Sequence, residues 1–201
     1  MFRTQPKRSA SGLAPIRGDE DLTELVVRAA GGDRAAEEAF VARTIDDVWR
    51  YCRHLMGNDL ADDATQATYL RALRSLGNFR AESSAKTWLI GVARNTCLDL
   101  RRSLARKTRL EEYLHAQPVA AAEDLYSRDL PVELDELLAQ LSEERREAFV
   151  LTQLLGFPYD AAAELVSVPV GTIRSRVARA RADLVVLAEG AEAGHVADRS
   201  G

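Results

Sequence analysis

The chain has 201 residues, with 46% apolar, 6% aromatic and 29% charged side chains and a net charge of −4. That suffices for one core or two small ones, and no apolar run approaches the roughly 20 residues of a membrane-spanning helix. Two cysteines, Cys52 and Cys97, without a CxxC pair, argue against a disulfide framework or a structural zinc site. A reducing cytoplasm is the natural expectation.

Leu, Ala, Arg and Glu dominate, and no segment alternates apolar and polar as a strand does, so the predicted fold is all-α. The net charge conceals two opposed blocks. From Arg71 to Arg109 ten basic residues face only Glu82 and Asp99, and from Leu110 to Leu141 eight acids face only Arg128. Local blocks of this kind bear more on nucleic-acid binding than the sum does.

In chain order, residues 1–18 carry Gly, Pro, Ser and scattered basic residues without periodicity, which reads as a disordered tail. Arg3, Lys7 and Arg8 have no apolar stretch after them, so a secretory signal is not expected. A first helix starts near Asp19 to Asp21 and stops at Gly31-Gly32. Asp33 is placed to cap a second, carrying Val41, Ile45, Val48, Cys52 and Leu55 on one stripe and ending at Gly57-Asn58. Asp59 is placed to cap a third, with Leu60, Ala64, Ala67, Leu70 and Leu73 inward and a stop at Gly77-Asn78. The loop Phe79 to Ser84 leads into a fourth, with Leu89, Val92, Ala93, Thr96 and Leu100 inward. These four predict one helical domain over residues 19–103.

Residues 104–131 begin basic, turn acidic and hold Pro118 and Pro131, and they read as a flexible acidic linker. Helical pattern resumes at Val132 with Leu134, Leu137, Leu138 and Leu141. Ser142 is placed to cap a helix bearing Ala148, Leu151 and Leu155, which stops at Gly156. Tyr159 to Val166 predicts a short helix, Ser167-Val168-Pro169 a break, and Val170 to about Leu184 a second helix. This is a helix-turn-helix pattern. Ile173, Val177, Ala180 and Leu184 share the inner face, while Arg174, Ser175, Ala178, Arg179 and Ala182 fall opposite, flanked by Arg176 and Arg181. A thin basic face with small residues between arginines suits the DNA major groove. The second domain is set at 132–188 and a disordered tail at 189–201.

With both halves in view, the chain resembles an extracytoplasmic function (ECF, group 4) sigma factor of the sigma-70 family. The segment DLADDATQATYLRAL resembles the family's polymerase-docking acidic stretch. FRAESSAKTWLIGVARNTCLDLRR resembles its −10-reading segment, and LSEERREAFVLTQLLGFPYDAAAEL with VPVGTIRSRVARAR resembles its −35-binding region. The family usually has an acid where Ala67 stands here.

The resemblance implies two small helical domains, a four-helix −10 domain and a helix-turn-helix −35 domain. It implies that Asp62, Asp63 and Gln66 dock on the largest subunits of bacterial core RNA polymerase. At the −10 element it implies Phe79, Arg80, Ser83, Ser84, Lys86, Arg94, Asn95, Arg101 and Arg102 as contacts to melted single-stranded DNA. At the −35 duplex it implies Tyr159, Thr172, Arg174, Ser175, Arg176, Ala178, Arg179 and Arg181. Trp88 is expected to pack in the core rather than to act as a stacking wedge. Asp160 is expected near a partner arginine, and the acidic stretch Glu111 to Glu136 either in the polymerase RNA channel, as the resemblance implies, or as a merely soluble tether. Many relatives are held by an anti-sigma partner. His54, His115 and His195 form no cluster with metal-ligand spacing, and there is no nucleophile with a base or glycine-rich phosphate loop. No metal, cofactor or enzymatic activity is expected. The alternative is a stand-alone helix-turn-helix transcription regulator, which would bind duplex DNA without polymerase.

Overall fold

The computed structural model describes residues 18–114 and 132–198, as eight α-helices among the described residues. Side-chain surroundings are given for 22–107 and 134–189. The expected tail before Gly18 and the middle of the acidic segment, 115–131, lie outside the described residues. The all-α expectation holds.

Helix α1 (Gly18–Ala30) buries Leu22, Leu25, Val26 and Ala29, a stripe spaced three, one and three. The Asp33 carboxylate accepts from the Ala35 and Ala36 amides at 3.0 and 3.1 Å, so it caps α2 (Arg34–Met56) as expected. Gly57, at φ 84°, closes α2 and opens α3 (Asn58–Ser75) directly. Asp59 therefore lies inside the first turn of α3 and is not its cap.

The inward face of α3 is also turned relative to expectation. Ala61, Ala64, Thr65, Thr68, Tyr69 and Ala72 are buried, whereas Leu70 is 52% exposed. Threonines can be buried here because Thr65 and Thr68 each return a hydroxyl to the carbonyl four residues back, at 2.7 Å. Likewise α2 buries Ala36, Phe40, Thr44, Val48, Tyr51 and Cys52, while Val41, Ile45 and Leu55 are only half-buried. A short 3-10 turn, Leu76–Asn78, follows α3.

Ser84 caps α4 (Ala85–Leu114), its Oγ accepting from the Thr87 amide at 3.1 Å. Leu89, Ala93 and Thr96 are buried as expected, joined by Ile90 and Cys97, while Val92 and Leu100 sit half-buried. The helix runs past residue 103 to Leu114, so the stretch assigned to the linker begins helical.

The second set starts with α5 (Val132–Ala139) and α6 (Glu143–Phe149). Ser142 stands at the N-cap of α6 but its side chain makes no capping bond. The helix widens into a π turn, Val150–Leu154, and Gly156 at φ 73° ends it. Helix α7 (Tyr159–Val166) closes on Ser167 in the left-handed conformation, φ 57°. That sharp turn lets α8 (Val170–Asp198) cross α7. The α8 stripe is as expected, with Ile173, Val177 and Ala180 buried and Leu184 half-buried. The helix continues through Asp198 instead of ending near Leu187, in keeping with the high helix propensity of its Ala- and Glu-rich end.

The two helical sets are not separate. One apolar cluster joins Tyr51, Cys52, Leu89 and Cys97 of the first to Ala148, Val150, Leu151 and Phe157 of the second. Helix α7 packs on α4 beside Gly91, where a Cβ would stand 3.6 Å from Leu165 Cδ2, an ordinary contact. Among the described residues, the smaller cluster of Leu138, Leu141 and Ala180 belongs to the second set alone.

Candidate nucleic-acid interface

The outer face of α8 is open. Arg174, Ser175, Ala178, Arg179 and Arg181 are exposed, while Thr172 and Arg176 are half-buried at its edges. Ser175 Oγ donates to the Thr172 carbonyl at 2.9 Å, and Arg181 donates to Gln153 Oε1 at 2.6 Å. Tyr159 is half-buried and packs against the core at the start of α7. Asp160 is exposed and holds the Ala161 amide at 2.9 Å, with no arginine paired to it among the described residues. Arg174 and Arg179 likewise have no ion-pair partner among the described residues. An exposed basic helix face backed by a buried apolar one is the kind of surface that can enter a DNA groove.

The surface around the 79–84 loop is different. Phe79 and Trp88 stack in a tilted pair, centroids 5.4 Å apart, and both pack on the core, in line with a structural Trp88. Arg80 and Asn95 are exposed, Ser83 is half-buried, and Arg102 lies 3.4 Å from Asp99. Ala81 takes a positive φ of 54° at the loop tip. The three cations deepest in this face are all engaged by the second helical set. Lys86 Nζ donates to the Leu155 carbonyl at 2.9 Å, pairs with Asp47 at 2.8 Å and lies 5.5 Å over the Phe157 ring. Arg94 Nε donates to Glu147 Oε1 at 2.9 Å. Arg101 grips Glu143 with both terminal nitrogens.

Glu147 is the centre of this seam. It is 8% exposed, and its Oε1 also accepts from the buried Tyr51 hydroxyl at 2.7 Å. Burial, then the Glu147 charge, pushes the Tyr51 phenol well above its ordinary value. The Arg101 guanidinium holds the Glu143 carboxyl below its usual range. Beside the seam, Arg53 pairs with Asp135 of α5, and His54 Nδ1 lies 3.9 Å from the same carboxylate. Burial nonetheless raises the Asp135 carboxyl, so desolvation outweighs its pairing. His54 is lowered to about 4 by burial first, then by Arg53, Arg146 and Arg50.

Sequence periodicity alone did not single out Glu143, Glu147 or Tyr51. The signal was there: Glu143, Glu147 and Leu151 recur at spacing four, which puts two acids on the buried stripe of α6.

On the far side, Asp62, Asp63 and Gln66 are all exposed on α3. Asp62 accepts from Trp49 Nε1 at 2.7 Å. Beside them Val41, Ile45, Trp49, Tyr69 and Leu73 line an open apolar groove between α2 and α3. The sequence placed Val41 and Ile45 in the core. Both are half-buried and pack against the core, and their outer sides also line this groove, so the apolar face of α2 is wider than one core contact requires.

Two family models match. Sigma-70 region 2 covers residues 40–107 and sigma-70 region 4 covers residues 132–184. A chain carrying both in that order has the make-up of a polymerase initiation subunit. It is 42% identical over 178 residues to the ECF RNA polymerase sigma factor SigC of Mycobacterium tuberculosis, covering 88% of this chain and 96% of the relative. It is 33% identical over 180 residues to SigM of the same species, covering 85% and 86%. Among solved structures, the sigma factor RpoE of Bartonella quintana in complex with the anti-sigma factor NepR matches with TM-score 0.64 and 27% identity, over 76% of this chain and 96% of that one. CnrH in complex with the cytosolic domain of CnrY matches with TM-score 0.62 and 26% identity, over 83% and 96%. The chain belongs to the ECF sigma factors of the sigma-70 family. It binds core RNA polymerase, recognises −10 and −35 promoter elements and directs transcription initiation. No helix among the described residues is long and apolar enough to cross a membrane.

Proposed function

We infer that promoter recognition is divided between two domains, 19–103 and 132–188, joined by the segment 104–131. Arg174, Ser175 and Arg179, with Ala178 close to a base face, read the −35 duplex. Thr172, Tyr159, Arg176 and Arg181 position the phosphate backbone. Phe79, Arg80, Ser83, Ser84, Lys86 and Asn95 receive unstacked bases of the −10 strand, and Arg94, Arg101 and Arg102 hold its phosphates. Asp62, Asp63 and Gln66, with the apolar groove at Val41, Ile45 and Trp49, dock on a basic helical surface of the polymerase. The protein works in the cytoplasm without catalysing a reaction itself, and an anti-sigma protein is a natural partner.

The observation that carries the assignment is the open arginine face of α8, with Arg174 and Arg179 free of ion pairs among the described residues, on a buried Ile173–Val177–Ala180 stripe. Lys86, Arg94 and Arg101 are bound to the second helical set, so −10 engagement requires the two sets to part. The test is reconstitution of the full chain with core polymerase on genomic fragments. Specific run-off transcripts are expected with the complex, and only weak duplex binding by the chain alone. Tight promoter binding without polymerase, with no transcript in its presence, would overturn the reading.

A further inference from the structure

Cys52 and Cys97 are the only two cysteines in the chain, and they meet. They lie 45 positions apart, on α2 and α4, and their sulfurs are 3.8 Å apart, with the Cys97 thiol donating to Cys52. Both are free thiols and both are fully buried. Arg94, Cys97 and Arg101 follow one another at spacings of three and four, so they share a face of α4. Glu147 and Glu143 of α6 hold the two arginines on that face. Tyr51, next to Cys52, is bonded to Glu147 as well. The dithiol thus lies directly under the seam between the two helical sets.

We propose that Cys52 and Cys97 form an oxidisable modification site that hydrogen peroxide converts to an intramolecular disulfide between α2 and α4, with α6 acting as its cover. The sulfurs need to close from 3.8 Å to the roughly 2.05 Å of a disulfide, a shift that side-chain rotation and a small helix displacement can supply. The donated Cys97 hydrogen bond lowers the Cys52 thiol and raises that of Cys97, which makes Cys52 the attacking sulfur. Its thiolate attacks one peroxide oxygen. The O–O bond breaks, and the departing hydroxide takes up the thiol proton as water. Cys97 sulfur then attacks the Cys52 sulfenic acid, the S–O bond breaks, and hydroxide leaves with the Cys97 proton as a second water. Two thiols lose two electrons and one peroxide gains them. Full burial means that peroxide enters only when α6 lifts from α4, so the rate of oxidation follows the parting of the two sets. This stands independently of the promoter assignment.

The test uses the reduced full-length chain with hydrogen peroxide, followed by denaturation, alkylation and intact-mass and peptide analysis. The expected product has lost two hydrogens, takes no alkyl group, yields a Cys52–Cys97 linked peptide and reverts with dithiothreitol. It melts about 5 °C or more higher than the reduced chain. Cys52→Ser and Cys97→Ser each give no linked peptide. Replacing both Glu143 and Glu147 by Gln speeds linkage by about tenfold or more. Two alkylatable thiols after native treatment that consumes an exposed reference thiol overturn the proposal, as do intermolecular dimers alone. Linkage at an unchanged rate in the Glu143→Gln, Glu147→Gln chain overturns the role of α6 as cover.

Discussion

The two cationic surfaces of this protein differ in what already occupies them. On α8, Arg174 and Arg179 project into solvent with no ion pair among the described residues. On α4 and the loop before it, Lys86, Arg94 and Arg101 are already bound, to the Leu155 carbonyl and Asp47, to Glu147 and to Glu143. The first surface can meet a duplex as it stands. On the proposed −10 reading, the second would have to exchange these partners for phosphates, and a shared apolar seam would open as it did so. Equal numbers of arginines in a sequence therefore do not make equally available surfaces.

The largest test of that contrast is Glu147→Ala. It leaves Tyr51 and Arg94 facing an empty seam, and breaking a buried charge pair costs about 3–5 kcal/mol. The two sets are expected to part, seen as faster hydrogen exchange in α6 and tighter binding of a single-stranded −10 oligonucleotide. Unchanged exchange would mean that the apolar contacts, with the Arg101–Glu143 and Lys86–Leu155 bonds, hold the seam without Glu147.

The next test is pH. His54 carries a folded-state value of about 4 against an ordinary 6.5, held down by burial and by Arg53, Arg146 and Arg50, with Asp135 opposite. A depressed value contributes stability above the unfolded pKa and loses it as pH falls through the window from 6.5 to about 4. The loss is about 2–3 kcal/mol. A melting-temperature series across that window should fall, and His54→Leu should flatten it. A flat series for the parent chain would place His54 in water.

Arg174→Ala acts on the open surface only. A bidentate guanine contact is worth about 1–3 kcal/mol, so transcription from a matched promoter should fall by roughly tenfold while the preference at one −35 base pair relaxes. Exchange in the seam should not change. The smallest effect belongs to Asp33→Ala, which removes two capping bonds on α2 at a cost of about 1 kcal/mol and leaves both DNA surfaces as they are. Thermal melting reads it directly.

The helices and the basic outer face of α8 were legible because they rest on local chemistry. Asp33 caps through bonds to residues two and three positions on, and the Ile173, Val177, Ala180 stripe follows from helical period alone. Errors arose where two faces of a helix compete. On α3 the sequence favours Leu60 and Leu70, yet the core takes Thr65, Thr68 and Tyr69, because their hydroxyls find partners: Thr44 and Tyr69 share a hydrogen bond of 2.8 Å. The C-terminal end of α8 carries no apolar anchors that would signal a helix, although its residues are good helix formers.

What the sequence by itself determined is the set of helices, the inner stripe of the helix-turn-helix and the motifs that place the chain among ECF sigma factors. Only the tertiary structure decided which charges are spoken for. Glu147 and Arg94 are 53 residues apart, and nothing in either local pattern requires them to meet. A buried acid is stable only beside partners brought by another part of the chain, so its role is written in the packing and not in the period.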